Sequence, residues 1–287
     1  MKKGIDRRSF LKITGTGFVI NRLERLRAKS PADLRHPEIA LITNLIDRQL
    51  DENWKETLKK VAEIGYRNIE FNKIGNAGKD ELKSFLSEIS LRPLAGGGAM
   101  SEFSDPLKFK TLIADTLFYG KPYLVCYWPW MDDGANKKSE DFFKLSEQLN
   151  LIGERCNRQG IRFALHNHMI EFNQYQEQTG YDILMHHTDP SKVTMLLDVY
   201  WATKAGADVT QLLENYKGRI ELLHVKDMDR TPERKYTCPG YGIIDFSKIL
   251  KVAAKSGVKY YIVEVDAAPA DPMTCVADSY KYVKSIM

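Results

Sequence analysis

Eight short apolar runs, each followed by a longer amphipathic stretch, predict an α/β fold for this chain: a single-domain (β/α)8 or TIM barrel. The pairs follow one another from Pro37 to the carboxyl end, and strand-then-helix alternation implies a parallel sheet. Eight such units fit a closed barrel better than an open sheet. An open, doubly wound sheet usually carries a glycine fingerprint after its first strand, where this chain has Asp47-Arg48-Gln49-Leu50.

The predicted strands are short and apolar, and the predicted helices carry apolar residues at helical spacing. The strands cover residues 39–46, 68–71, 91–99, 123–128, 161–168, 193–201, 220–226 and 260–266. The helices cover residues 54–64, 80–89, 107–119, 140–158, 181–187, 209–216, 246–256 and 272–286. Gly65, Gly218 and Gly257 follow helices, as C-cap glycines do. Because the strands are parallel, their carboxyl ends should meet at one rim of the barrel.

Composition argues against two classes of partner. The chain of 287 residues is 43% hydrophobic and 28% charged, with a formal net charge of +4, which is ordinary for a globular protein. Lys and Arg form no block of the kind that nucleic-acid binders use, so no nucleic-acid partner is expected. Apolar runs of about 18 residues are also missing, so no integral membrane segment is expected.

The four cysteines are far apart and form no CxxC pair. Cys126, Cys156, Cys238 and Cys275 therefore do not indicate a zinc ribbon or a thioredoxin-like site. We expect four reduced, mostly packed thiols, although spacing alone leaves a disulfide open.

The first 35 residues are predicted to be an export signal or a flexible basic arm, with the barrel spanning residues 37–287. Residues 7–12, Arg-Arg-Ser-Phe-Leu-Lys, resemble the twin-arginine export motif. The apolar segment that follows, residues 13–20, is short, and the charged residues 22–25 come soon after it. Export would place the protein in the periplasm, and otherwise it would be cytoplasmic.

Ionisable side chains end several of the predicted strands, where a barrel places its catalytic residues. These strand ends are Glu70, His166 with His168 and Glu171, Asp198, His224 with Lys226, and Glu264. Asp, Glu and His at one depth of a barrel mouth indicate one divalent metal ion. Mixed carboxylate and imidazole ligands suit Mn²⁺, Co²⁺, Fe²⁺ or Zn²⁺, and Mg²⁺ stays open.

Four segments carry a family resemblance: residues 165–172 (LHNHMIEF), 197–201 (LDVYW), 224–227 (HVKD) and 263–266 (VEVD). With these segments, the chain resembles the xylose-isomerase-like TIM barrels, also called the sugar phosphate isomerase/epimerase family. The resemblance implies a metal held by Glu, Asp, His and Glu from strands five to eight.

Three of those ligands match directly, as Asp198, His224 and Glu264. His166 lies where many relatives have the first Glu, and we expect it to be the fourth ligand, with Glu171 as the reserve. His168 should face the same way as His166, nearer the mouth, because side chains two apart on a strand share a face.

The resemblance and the site together imply a metal-dependent sugar isomerase or epimerase that removes a proton next to a carbonyl. Glu264 and Glu171 are the expected proton-transfer pair. Lys226 either donates to the substrate oxygen or forms an ion pair. His168 is a further catalytic candidate or a hydrogen bonder behind the ligands.

Several alternatives to an isomerase stay open. A lyase or dehydratase for a keto-sugar or 3-keto-glycoside would use the same site. An endonuclease for abasic DNA is disfavoured because Trp201 lies where those enzymes have a histidine. A non-catalytic sugar-binding barrel is the last alternative. The expected partner is a small carbohydrate, and a homo-oligomer stays open.

Export can be tested with residues 1–35 fused to a reporter protein. We expect the fusion to reach the periplasm and the Arg7→Lys/Arg8→Lys version to stay in the cytoplasm, because the paired arginines are the recognised feature. Reporter activity in separated cell fractions is the measurement. Equal cytoplasmic retention of both fusions would refute export.

Overall fold

A sheet of parallel strands surrounded by helices confirms the predicted single-domain (β/α)8 barrel. The computed structural model describes residues 36–266 and 271–287, so the predicted export segment at residues 1–35 lies outside the described residues. The sheet contains β1 (Glu38–Ile42), β2 (Asn68–Glu70), β3 (Arg92–Ala95), β4 (Gly97–Ala99), β5 (Tyr123–Trp128), β6 (Arg162–His166), β9 (Val193–Asp198), β10 (Ile220–Val225) and β13 (Tyr260–Val263). Two hairpins add β7 (Gln174–Tyr175) with β8 (Gln178–Thr179), and β11 (Asp227–Met228) with β12 (Tyr236–Thr237).

The barrel closes through one strand that is broken at Gly96. The strand order is β3-β2-β1-β13-β10-β9-β6-β5-β4, so β3 and β4, the two ends of the sheet, are separated only by this glycine. Phe71 N donates to Ala95 O at 3.0 Å on one side of the break, and Val125 N donates to Gly96 O at 2.9 Å on the other. Closure at this point requires the backbone of β4 to lie very close to that of β5. A Cβ on Gly97 would lie only 1.7 Å from Val125 O.

Helices cover the outside of the barrel and bury the larger apolar core between themselves and the strands. They are α1 (Asp47–Ile64), α2 (Lys79–Glu88), α3 (Met100–Ser104), α4 (Pro106–Tyr119), α5 (Ser139–Asn157), α6 (Gly180–His187), α7 (Val199–Lys204), α8 (Val209–Asn215), α9 (Phe246–Ser256) and α10 (Pro272–Ile286). A second, smaller core fills the barrel interior, with Ala40, Leu94, Tyr123, Val125, Ala164, Leu196, Leu222 and Ile262 among its members. Among the described residues, none of these helices has the length and apolar character that crossing a membrane requires.

Two of the observed strands are shorter than predicted, because a capping side chain or a turn ends them. The strand expected at 193–201 stops at Asp198, because Asp198 Oδ1 accepts a hydrogen bond from Trp201 N at 2.9 Å and so begins α7. The run expected at 39–46 ends at Ile42 and continues as a 3₁₀ turn over Thr43–Ile46. In both cases a continuous apolar run hides the change, since buried strands and buried helical turns are equally apolar.

The prediction of four reduced thiols is wrong for two of the cysteines. Cys238 and Cys275 form a disulfide with a Cα–Cα distance of 5.7 Å across 37 residues of sequence. Cys126 and Cys156 are free and buried. Sequence spacing could not reveal the pair, because tertiary packing brings the start of α10 next to the loop before α9.

Candidate metal centre and active site

Four side chains converge at the carboxyl rim of the barrel, each from a different strand. His166 ends β6, Asp198 ends β9, His224 lies near the end of β10, and Glu264 directly follows β13. One ligand atom from each lies within 4.8 Å of the others, and all four residues are buried. The structure thus brings together the four residues predicted as metal ligands. Glu171, the reserve ligand, is not part of this group.

The converging atoms fit a cation, because they lack hydrogen-bond partners. Within the described part of the chain, no partner is found for either ring nitrogen of His166, Asp198 Oδ2, His224 Nδ1 or Glu264 Oε2. His224 Nδ1 and Glu264 Oε2 are 2.6 Å apart, yet they do not have hydrogen-bonding geometry. A buried polar atom without a partner costs about 1–3 kcal/mol. Imidazole nitrogens and carboxylate oxygens aimed at one point are the donor set that a transition-metal ion accepts.

Glu70 orients His224 from the opposite side, a role that sequence reasoning did not assign. It ends β2, is fully buried, and places Oε2 3.3 Å from His224 Nε2. Its other oxygen accepts a hydrogen bond from the Tyr127 hydroxyl. With Nε2–H directed at Glu70, His224 keeps Nδ1 for a ligand bond. Burial lowers the pKa of His224, but without an ion the carboxylates of Glu264 and Glu70 outweigh burial and raise it to about 10. A bound cation would therefore take the place of the proton on Nδ1.

Asn167 ties two neighbouring strand ends together and was also missed from the sequence. Its Oδ1 accepts from Asp198 N at 3.0 Å, and its Nδ2 donates to Asp198 O at 3.4 Å. Since Asp198 Oδ1 caps α7, only Oδ2 is left to face His166, whose Nε2 is 3.5 Å away. Burial, with the nearby His224, lowers the pKa of His166 to about 3. Its imidazole is therefore neutral and keeps a lone pair for a ligand bond.

Lys226 is buried directly after the end of β10 and forms the ion pairs that are one of its two predicted roles. Its Nζ lies 2.5 Å from Asp266 Oδ2, 3.5 Å from Glu264 Oε1 and 3.9 Å from Asp198 Oδ2. The rings of Tyr200, Trp201 and Tyr236 surround the ammonium group, with centroids 5.3–5.6 Å away. Burial lowers the pKa of Lys226, but the three carboxylates outweigh it and raise the pKa, so Lys226 stays charged.

Glu171 lies in the 3₁₀ turn Ile170–Phe172, where it fastens the loop that carries His168. Its Oε2 accepts from His168 N at 2.8 Å, and its Oε1 accepts from Trp130 Nε1 at 2.9 Å. Burial raises the pKa of Glu171 to about 7, although these two donors act in the opposite direction. With both oxygens engaged, Glu171 holds the loop in place.

His168 faces the same space as His166, with their ring centroids 4.8 Å apart. The rings of Trp128 and Trp201 contact it at 5.0 and 5.5 Å. Its Nδ1 is buried without a hydrogen-bond partner among the described residues. Burial, with the neighbouring His166, lowers the pKa of His168 to about 3. The ring is therefore neutral at physiological pH.

A cavity of about 380 Å³ lies beside the converging side chains. Three of the four, His166, His224 and Glu264, line it together with His168. Polar groups from the first two βα loops form the opposite wall, and they are Thr43, Asn44, Asp47, Asn72 and Lys73. This volume falls in the range of small-molecule sites. The lining offers several hydrogen-bond donors and acceptors, as a hydroxyl-rich ligand requires.

A (β/α)8 barrel with imidazoles and carboxylates gathered at its carboxyl rim has the architecture of the barrel enzymes that work on small molecules. The family model of the xylose isomerase-like TIM barrel matches residues 58–286, and the chain belongs to this family.

Among curated relatives, the inosose dehydratase of Lacticaseibacillus casei is 29% identical over 175 residues, which cover 54% of this chain and 58% of the relative. The chain thus spans little more than half the length of that relative.

Solved structures resemble the chain over most of its length. Two structures of sugar phosphate isomerase/epimerases from Parabacteroides distasonis have TM-scores of 0.72 and 0.71 at 24% and 25% identity. They match 86% of this chain and 93% and 97% of their own. A structure of the IOLI protein with a bound zinc atom has a TM-score of 0.68 at 18% identity, covering 87% of this chain and 96% of that one.

Replacing His166 by Ala should remove most of the bound metal. We expect at least a tenfold lower metal content per chain, because one of four ligand atoms is lost while the others keep their places. Metal analysis of the purified protein is the measurement, and His187→Ala, which changes an exposed histidine, is the matched control. Full metal content in the His166 variant would contradict the ligand assignment.

Glu171 should make stability depend on pH. Its pKa in the folded state, about 7, lies above the ordinary value of 4.5, so the folded protein holds this proton more tightly. The extra stability is present below pH 4.5 and is lost as pH rises to about 7. Relative to Glu171→Gln, which cannot titrate, the wild type should lose up to about 3 kcal/mol across this window. Urea unfolding of both proteins at several pH values across the window measures the free energy of unfolding. If it changes with pH equally in both proteins, the pKa of Glu171 is not raised.

Proposed function

We propose that this protein is a metal-dependent dehydratase that removes water from a keto-sugar or a related cyclic ketone. The observation that carries the proposal is the convergence of four ligand atoms that lack partners among the described residues, beside a polar cavity that also contains a neutral histidine. The similarity to inosose dehydratases over about half of the chain supports dehydration over the isomerisation that the family resemblance alone suggests.

His166, Asp198, His224 and Glu264 would hold one divalent ion. When bound, such an ion stabilises the negative charge that develops on a substrate carbonyl oxygen during proton removal. Glu70 and Asn167 keep His224 and Asp198 aimed at the same point, as described above. Lys226 offsets the negative charge of Asp198 and Glu264.

His168 is the proposed base in place of the Glu264 and Glu171 pair. Glu171 has both oxygens engaged, and Glu264 is committed to Lys226 and to the converging group. His168 Nδ1 is unpartnered among the described residues, and the ring lines the cavity. A neutral imidazole can take the proton from the carbon next to the carbonyl. The same residue can then give that proton to the hydroxyl leaving from the neighbouring carbon, so that one water departs.

The polar wall of the cavity supports a substrate with several hydroxyl groups. Asn44 and Asn72 offer amide donors and acceptors, Thr43 a hydroxyl, and Asp47 a carboxylate. These are the groups that fix the orientation of a polyol over a metal site. Orientation matters here because the proton to be removed must point at His168.

An isomerase or epimerase is the second candidate, since it begins with the same proton removal. It is favoured by the Parabacteroides distasonis structures, one of which is 25% identical and matches 86% of this chain. The two reactions differ in their product: a dehydratase product lacks one water, whereas an isomer or epimer keeps the mass of the substrate.

A panel of inososes, ketoses and 3-keto-glycosides tests both candidates with the metal-loaded protein in deuterated water. We expect a product that has lost water, detected by mass spectrometry. His168→Asn should lower kcat by about 10²–10⁴ while metal content stays unchanged, because the base is lost and the ligands remain.

His186→Asn, which changes an exposed histidine on α6, is the matched control and should keep full activity. A product that keeps the elements of water and is heavier than the substrate only by carbon-bound deuterium would replace the dehydratase by an isomerase or epimerase. Full activity of the His168 variant would move the base elsewhere.

A further inference from the structure

The disulfide joins the loop that follows Lys226 to the helix that follows Glu264 and Asp266, two of its carboxylate partners. Cys238 lies in the loop after β10, the strand that leads to Lys226. Cys275 lies in the first turn of α10, which follows the strand that leads to Glu264 and Asp266. Both sulfur-bearing side chains are fully buried. The crosslink thus closes a ring of chain that includes Glu264 and Asp266.

On the Cys238 side, the loop is wound around the carboxylate of Asp227. This buried carboxylate accepts hydrogen bonds from four backbone N–H groups, at distances of 2.8–3.1 Å. The donors are Met228, Gly240, Gly242 and Ile244. A Cβ on Gly242 would lie 2.3 Å from Asp227 Oδ1, so the loop follows the carboxylate closely. Asp227 is the residue next to Lys226, and the wound loop therefore fixes the backbone that carries Lys226.

On the Cys275 side, Asp271 caps α10 by accepting from Thr274 N at 2.8 Å. Asp266, a few residues earlier, is partly exposed, with 41% of its side chain accessible, yet its carboxylate lies 2.5 Å from Lys226 Nζ. An exposed carboxylate holds a lysine only weakly unless its backbone is fixed. The crosslink supplies a covalent connection between the two backbones on which this ion pair depends.

We propose that the Cys238–Cys275 disulfide is a required covalent modification of the working protein, which acts in an oxidising compartment, and that it keeps Lys226 against Asp266 and Glu264. The bond forms when the two thiols exchange with a disulfide oxidant: one S–S bond forms in the protein, and the oxidant is reduced to two thiols. Structural disulfides belong to oxidising compartments, and the twin-arginine-like residues 7–12 independently indicate export.

The first test counts thiols in the full-length chain after refolding with oxidised glutathione as the oxidant. Alkylation under denaturing conditions should find two free thiols, Cys126 and Cys156, and four after reduction. Peptide mapping should recover Cys238 linked to Cys275. Four free thiols without reduction would overturn the proposal. This measurement does not depend on any enzymatic activity, so it is informative even if the proposed function fails.

The second test compares Cys238→Ala/Cys275→Ala with Cys126→Ala/Cys156→Ala as the matched control. Loss of the crosslink should lower Tm by about 10 °C, and the Tm of this variant should no longer respond to reductant. The control variant keeps the crosslink, so its Tm should still fall when reductant is added. Equal Tm values for the oxidised wild type and the crosslink-free variant would show that the disulfide does not stabilise the fold.

The position of Lys226 needs a kinetic readout, and only this part rests on the proposed function. Well below its Tm, the crosslink-free variant should have roughly two- to 150-fold lower kcat, the range of coupling between contacting groups. In an Asp266→Asn background, removing the crosslink should change kcat no further, because the ion pair it holds is already absent. If removal of the crosslink and Asp266→Asn lower kcat independently, so that their effects multiply, the disulfide does not act through Lys226.

Discussion

The rim of this barrel buries more lone pairs than the described residues satisfy, and much of the surrounding structure follows from that constraint. Two imidazoles and two carboxylates meet because the parallel strands bring their carboxyl ends to one rim. Asp198 is the register partner of His224, whereas His166 pairs with Leu196, two residues before Asp198. Among the described residues, neither imidazole forms a hydrogen bond to Asp198 Oδ2 or Glu264 Oε2. This imbalance makes the group a candidate cation site, and charged side chains that are rare in protein interiors surround it.

The supporting groups divide the work of keeping this arrangement rigid. Asn167 links two strand ends through hydrogen bonds with the Asp198 backbone, Glu70 fixes one imidazole ring, and Lys226 balances the charge of the carboxylates. Glu171 holds the loop that carries His168. None of Asn167, Glu171 and Lys226 lines the cavity described above.

The sequence predicts the architecture and the converging residues because both depend on local patterns. An apolar run that ends in Asp198 or Glu264 already tells where that side chain must lie in a parallel barrel. What it cannot predict are contacts between distant segments. Glu70 ends a strand as visibly as Asp198 does, but its partner His224 is 154 residues away.

Glu171 was ambiguous for a related reason. Whether it turns toward the metal group or toward Trp130 depends on one 3₁₀ turn, which a short apolar segment does not reveal. The pairing of Cys238 with Cys275 required the packing of α10 against the barrel. The sequence therefore predicts the converging residues, whereas it does not predict the contacts that hold them in place.

The ring closed by Cys238 and Cys275 also changes what a protease can do to this protein. A single cut anywhere between residues 239 and 274 would leave the two pieces covalently joined. After a cut before Glu264, both pieces contribute to the rim, since His166, Asp198 and His224 precede this stretch and Glu264 lies within it. A nicked molecule would thus remain one molecule with all four side chains attached, and it would separate into fragments only after reduction.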